Sequence, residues 1–379
     1  MKIKKYCFPF LFTALVLAGC KEKFEPPVTQ ENLGYLVVDG FLNNGPDTTF
    51  IRLSRTKKLT EGTQNSTEQN AQLSIEDVNG NTLYYFQEFN ADGTYILPGM
   101  SLNVNSKYRL RINTAKGKQY VSDDIPVIKT PPIDSIAWEK NDKGVTISAN
   151  THDPQNNSRY YRWEYTETYQ YHSAFFSTLI YKDGVISDRS PQDYIYECWR
   201  TNQSTNLLLA SSAKLSQDII YHNLIRFIST NSIELSIKYF ILVRQYTLTK
   251  ESFEYLENLK KITEQTGSIF DVQPSQLTGN IHAINNPGEQ VLGYLTASTV
   301  ESEAIYITND QVLPWLYPKP CIRIEVPVDQ IQLSFGNQGL IPLLRDGDGP
   351  SLKGIFGTEP PCADCRLLGG TTTKPGFWP

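Results

Sequence analysis

The sequence predicts a mainly β protein: an N-terminal immunoglobulin-like β-sandwich, then a second β-sandwich-like domain with a long insertion and at least one helix. Three observations lead there. Short alternating apolar and polar runs fill residues 35–128 between turns rich in Asn, Gly and Pro, the pattern of half-buried antiparallel strands. Pro126 and then Thr130-Pro131-Pro132 interrupt them, and proline cannot donate to a strand ladder. A second β-rich series begins at Ile133, and helical spacing is confined to a stretch after Thr249.

In the first region, Tyr35 to Val38 and Thr49 to Leu53 flank the turn Asn43-Asn44-Gly45-Pro46. Ala71 to Val78 and Thr82 to Phe86 flank Asn79-Gly80, a dipeptide that fits a type I′ hairpin turn. Tyr108 to Ile112 and Gln119 to Val121 flank Lys116-Gly117, and Pro98-Gly99 leads into Tyr108, as in a tyrosine corner whose buried phenol bonds upstream backbone. Residues 33–129 thus read as one sandwich and 133–379 as a second domain. That domain opens with strands over 135–138, 145–149 and 160–165. Residues of about 169–235 mix aromatic and polar side chains around Asp183-Gly184 and read as an insertion. Ile237 to Tyr246 reads as a buried strand. Thr249 caps a helix of about 250–266, where Phe253, Leu256, Leu259 and Ile262 form a one-sided stripe that packs on the second domain. Residues 279–281, 290–295 and 304–307 read as closing strands.

The chain has 40 acidic and 35 basic side chains, a formal charge of −5. A phosphate-binding surface needs a basic excess, so nucleic acid is not the expected partner. The N-terminus carries Lys2, Lys4 and Lys5, an apolar run from Phe8 to Leu17, and Leu17-Ala18-Gly19-Cys20. About ten apolar residues are too few for a membrane span of roughly 20, but they suit a signal peptide. Cysteine directly after Leu-Ala-Gly resembles a bacterial lipobox, so residues 1–19 are expected to be removed and Cys20 lipidated. Two or three acyl chains hold a protein on a membrane where one does not. Residue 21 is Lys rather than Asp, which favours the outer membrane. Glu22 and Glu25 near the anchor favour the cell surface, and residues 20–32, with Pro26-Pro27, form a stiff tether.

Of the six cysteines, Cys7 leaves with the signal and Cys20 takes lipid. Cys198, Cys321, Cys362 and Cys365 remain, an even number that favours two disulfides in any of three connectivities. Cys362-Ala-Asp-Cys365 has the spacing of a redox pair or half a zinc site, but it lies between Pro360-Pro361 and Gly369-Gly370 rather than at a strand–helix junction. No HExxH, GxSxG, P-loop or GxGxxG motif is present, so no catalytic residue, metal or cofactor is assigned. His152, His172, His222 and His282 are scattered without ligand spacing, and Asp346-Gly-Asp348-Gly reads as an acidic turn rather than a calcium loop. Aromatic residues concentrate between Tyr160 and Tyr181. Tyr161, Trp163 and Tyr165 share one strand face toward the core. Tyr169, Tyr171, Phe175, Phe176 and Tyr181 are the expected contacts for a peptide, glycan or protein partner, because a tyrosine joins a flat apolar face to a polar tip.

The lipobox, Tyr35-Leu-Val-Val-Asp-Gly40, Tyr108-x-Leu-x-Ile112, Gly267-Ser-Ile-Phe-Asp271, Gly279-Asn-Ile281, Val291-Leu-Gly-Tyr294 and Cys362-x-x-Cys365 … Gly369-Gly370 … Lys374-Pro-x-Phe-Trp378 together resemble the Bacteroidota family catalogued as domain of unknown function 4249. Leu295 stands where that family favours an aromatic. The resemblance implies an envelope lipoprotein often found beside TonB-dependent outer-membrane receptors, with no catalytic residues to transfer. The expected function is a non-catalytic binding or accessory subunit of such an uptake system. The alternatives are a structural or adhesive surface lipoprotein and, third, a hydrolase with a disguised site.

Overall fold

A computed structural model of the protein describes residues 34–57, 66–264, 277–317, 319–347 and 349–379. Strands dominate it. Alternation builds the first sandwich. Thr49–Arg55 turns Ile51 and Leu53 inward and Phe50 and Arg52 outward, and Lys107–Asn113 buries Tyr108, Leu110 and Ile112. One sheet runs in the order Val291–Leu292, Leu36–Gly40, Thr49–Arg55, Thr94–Leu97, Gln87–Phe89. The other centres on Lys107–Asn113, which pairs with Gln72–Asp77, Gln119–Ser122 and Ile125–Ile128. The Tyr108 phenol is buried and accepts the backbone N–H of Asn103 at 2.9 Å, tying the strand to its upstream loop.

The closing strands differ from the sequence reading. Residues 279–298 do not close the second domain; they return to the first. Val291–Leu292 lies parallel to Leu36–Gly40, Ile281–Ala283 antiparallel to Gln119–Ser122, and Ala297–Ser298 between Leu42–Asn43 and Ile125–Ile128. Ile281, Val291, Leu295 and Ala297 join the core of Leu36, Ile51, Leu73 and Tyr120. The return needs close backbone approach at Gly293, whose φ is +127°, and a Cβ there would stand 2.0 Å from the Val38 carbonyl oxygen. Glu289 fixes the loop. It accepts from the Tyr120 hydroxyl at 2.6 Å and from Lys118 at 2.8 Å, and Arg55 donates both to Tyr120 at 3.2 Å and to Glu68 at 2.6 Å.

The hairpin turns also differ. Type I′ needs positive φ at both central residues. Around Asn79-Gly80 only Gly80 has it, and the turn closes with Gly80 N–H on the Asp77 carbonyl. The two-residue type I′ geometry belongs instead to Asp183-Gly184, with φ of 52° and 84°, joining Leu179–Lys182 to Val185–Asp188.

In the second sandwich the sheet Ile133–Asn141, Gly144–Asp153, Asp218–Ser229 faces the sheet Glu197–Gln203, Tyr160–His172, Lys238–Thr247, Val300–Thr308. The expected insertion of about 169–235 is therefore only partly one. Residues 169–172 continue the central strand, and Glu197–Gln203 and Asp218–Ser229 are sandwich strands. What leaves the sandwich is the hairpin at 179–188, which packs with the small sheet Ile324–Pro327, Gly354–Thr358, Ile341–Asp346 around Leu179, Val326, Phe335 and Ile355.

Two carboxylates are buried in the second sandwich, Asp218 against the Tyr161 hydroxyl and Glu167 in the core. Glu167, 2% exposed, accepts from Arg226 Nε at 2.9 Å, the Tyr239 hydroxyl at 2.6 Å and Asn202 Nδ2 at 3.2 Å. Burial is affordable only because every strong lone pair is met. Desolvation and the neighbouring Glu167 charge push the Tyr239 phenol far above its usual pKa, so it stays a donor.

The sandwiches are tied to one another. Thr130, fully buried, donates to the Thr299 carbonyl and accepts the Thr247 N–H at 3.2 Å, and Gln245 donates to the Pro131 carbonyl at 2.8 Å. The expected linker is thus a packed joint. The helix spans Lys250–Glu264, with Thr249 Oγ1 accepting the Ser252 N–H at 3.1 Å, the expected N-cap. Its stripe bridges rather than serving the second sandwich alone. Phe253 meets Tyr160 at 5.1 Å between centroids, while Tyr255 meets Tyr294 of the return segment at 5.3 Å and accepts the Gly293 N–H. Residues 265–276 lie outside the described part.

Candidate functional site

Where the two sandwiches meet they leave a cleft of about 650 Å³, within the size range of small-ligand sites. One wall is the 39–50 segment of the first sandwich, which brings Asp39, Phe41, Asn43, Asp47 and Phe50; the other is the outward face of the second sandwich's main sheet. Register sets that face. Arg162 lies opposite Tyr246 and Glu164 opposite Arg244, so the two guanidinium groups sit diagonally on adjacent strands.

The charges are partitioned unevenly. Arg162 pairs with Glu164 and lies over the Tyr246 ring at 5.6 Å. Tyr246 donates to Glu164 at 2.8 Å and meets Phe41 edge-on at 4.8 Å, closing the cleft's inner end. Burial, then the Glu164 charge, raises the Tyr246 phenol well above its usual pKa and keeps it neutral. Arg244 donates to Thr166 Oγ1 at 3.2 Å and, among the described residues, makes no ion pair within 4 Å; nor do Asp39 and Asp47. Two buried atoms of the lining, Arg162 Nε and Asn43 Oδ1, have no hydrogen-bond partner among the described residues, each at a cost of about 1–3 kcal/mol. Phe50, 56% exposed, stands at the mouth. Nothing in the sequence marked these residues. Arg162 and Arg244 lie 82 positions apart, and only strand register makes them neighbours.

The sequence-derived aromatic contacts separate into three places. Tyr169 and Tyr171 are core residues, 3% and 0% exposed, and the Tyr171 hydroxyl donates to the Cys365 carbonyl at 2.9 Å. The expectation of ligand contact is corrected for both: odd positions from 161 to 171 share the inward face, so the alternation that buries Tyr161 and Trp163 buries these too. Tyr181 belongs to the small third core, where its hydroxyl bonds Gln332 and its ring lies 6.3 Å from Phe335. Phe175 carries Arg323 over its ring at 5.1 Å, and Phe176, 44% exposed, stands edge-on to Tyr194 and Tyr196, with His172 stacked on Tyr196 at 4.3 Å. This forms a surface platform rather than a pocket.

The four cysteines form two disulfides, Cys198–Cys365 and Cys321–Cys362. The CxxC cysteines therefore have different partners, and the pair fastens the C-terminal segment to the strand Glu197–Gln203 and to the segment just before Ile324–Pro327. The strap continues with a bridge from Thr371 to Trp199 and with Trp378, 5% exposed, donating to Gln170 at 3.3 Å. The histidines stay apart, with His152 on Asp134, His172 on Glu197 and His282 on Asp123. Among the described residues, no three His, Cys, Asp or Glu side chains converge on a metal position, and no helix is long and apolar enough to cross a membrane. Cys20, Gly267 to Asp271 and Asp348 lie outside the described residues.

The model of a family described as "Domain of unknown function (DUF4249)" matches residues 21–304. Among curated proteins none matches. Among solved structures, trypsin-activated alpha-2-macroglobulin from Escherichia coli is 12% identical, over 58% of this chain and 15% of that one, with a TM-score of 0.19. A segment of two fibronectin type III domains from chicken tenascin is 14% identical, over 57% of this chain and 91% of that one, with a TM-score of 0.17. The chain thus spans under a sixth of the macroglobulin, and likenesses at these scores carry nothing about the fold.

Proposed function

The chain belongs to the DUF4249 family, and from that premise and the cleft we propose that it is a surface-exposed lipoprotein of the outer membrane, held through Cys20, that serves as a non-catalytic binding or accessory subunit of a TonB-dependent uptake system. The observation that carries the reading is the cleft of about 650 Å³ in which the half-buried guanidinium of Arg244, with no ionic partner among the described residues, faces the exposed carboxylates of Asp39 and Asp47. Charges left unpaired at a partly enclosed site favour a ligand that supplies the counter-charges. The leader-like N-terminus ending in Leu17-Ala18-Gly19-Cys20 supports anchoring, and the exposed Phe176 and Tyr194 platform offers aromatic area for a protein neighbour.

The test is a pull-down of tagged protein from gently solubilised outer membranes, with mass spectrometry of what accompanies it. A TonB-dependent receptor in near-equal amount is the expected result, and the lipoprotein alone would overturn the accessory role. Cys20→Ala should release the protein from the membrane fraction. One observation favours a second reading, a structural or adhesive surface protein: Ile219, Tyr221, Leu224 and Phe227 leave an apolar stripe on one strand exposed. A polymeric state after mild extraction would support it.

A further inference from the structure

We infer that the cleft takes a short zwitterionic peptide, its carboxylate on Arg244 and its ammonium toward Asp39 and Asp47 on the facing wall. The inference rests on the binding role proposed above and gives it a ligand class. The Arg162–Glu164 pair neutralises itself, which leaves among the lining residues one cation, Arg244, facing two exposed carboxylates, of which Asp39 has Arg52 opposite it on the neighbouring strand and Asp47 has no such neighbour. The cleft is therefore a fixed dipole, and its best guest is a dipole of opposite sense. An acidic oligosaccharide would satisfy Arg244 and set its other carboxylates against Asp39 and Asp47. A neutral sugar would cover the half-buried Arg244 and supply no counter-charge. Arg244 is pre-set for the carboxylate, since its bond to Thr166 occupies one nitrogen and leaves the rest of the fork free.

The test is calorimetric titration of the full chain in detergent with tetra-alanine bearing free termini, with its N-acetylated and C-amidated forms, and with tetragalacturonate. The free peptide should bind, and blocking either end should weaken it about tenfold, as expected for one lost charge-assisted contact. Arg244→Gln should erase discrimination between the free and amidated peptides while leaving the effect of acetylation. Asp39→Asn combined with Asp47→Asn should do the reverse, and melting curves show whether each variant is folded. Equal binding of free and blocked peptides, or tighter binding of tetragalacturonate, would overturn the peptide assignment and leave the binding role standing. Absence of binding by every probe would overturn the inference, whereas the accessory role fails separately, in the pull-down.

Discussion

The two sandwiches are closed in different ways. The first has no disulfide among its described residues and depends on its own chain coming back: strands from residues 281–298 complete both of its sheets, and Glu289 locks the return with hydrogen bonds and ion pairs. The second is closed covalently, with Cys198–Cys365 joining the strand Glu197–Gln203 to the C-terminal strap and Cys321–Cys362 joining the strap to the segment that leads into the third sheet. A non-covalent return can be undone by one misplaced atom or by acid, while a covalent closure yields to reductant. The cleft lies where the two systems meet, so its shape depends on both.

The largest break should come inside the second sandwich. Glu167→Ala leaves the buried Tyr239 hydroxyl without its acceptor and the half-buried Arg226 with Glu234 alone and should cost about 3–5 kcal/mol, read as a lowered unfolding midpoint in denaturant. Next is the covalent closure. Cys198→Ala with Cys365→Ala removes a link across 167 residues of sequence and should cost about 2–4 kcal/mol; calorimetry should show the second-sandwich transition move, and equal movement of both transitions would mean that the two sandwiches unfold as one unit. Gly293→Ala then tests the first sandwich from a distant position. The clash with the Val38 carbonyl and the positive φ should cost about 1–3 kcal/mol, and reductant should leave that penalty unchanged.

The smallest effect sharpens the comparison through pH. Burial alone would raise the Glu289 carboxyl, but the hydrogen bonds from Lys118 and Tyr120 and the nearby Arg55 charge prevail and hold it below the usual carboxylate range. Its contribution is complete above the unfolded value of about 4.3 and is lost as pH falls through the lower native value. Glu289→Gln should therefore cost about 1–2 kcal/mol near neutrality and nothing once pH is below the native value, as urea melts across that range would show. A constant difference at all pH values would remove Glu289 from the account. Tyr120, pushed up to about 12 by burial and its bond to Glu289, stays neutral throughout that range.

What could be read from the sequence was local. Strands such as Thr49–Arg55 and Lys107–Asn113, the Tyr108 corner and the Thr249 cap each announce themselves within a few residues. The disulfides could be expected from an even cysteine count, but not which cysteine meets which. Period 2 states which face a residue takes and not which strand lies beside it, so the two-residue strand Val291–Leu292 could not reveal that its neighbour is Leu36–Gly40. The inward face of Tyr161 and Trp163 runs on through Tyr169 and Tyr171, past the point where aromatic composition alone suggests a loop. In Asp218–Ser229 the positive φ of His222 and the shifted register around Ile147 and Ala149 scramble the alternation that would have marked a sandwich strand. The cleft was illegible for the same reason, being made of residues on strands that are adjacent only through long-range pairing.

The returning strands also impose a timetable. The first sandwich's last contiguous strand ends at Ile128, but its final strand ends at Ser298, 170 residues later. That separation imposes a wait before the first sandwich can close. During it, edges that Val291, Ala297 and Ile281 will cover have no cover, and an open strand edge is a template for mispairing. The N-terminal third of the protein is therefore the part most open to mispairing until the chain through Ser298 is available to fold with it.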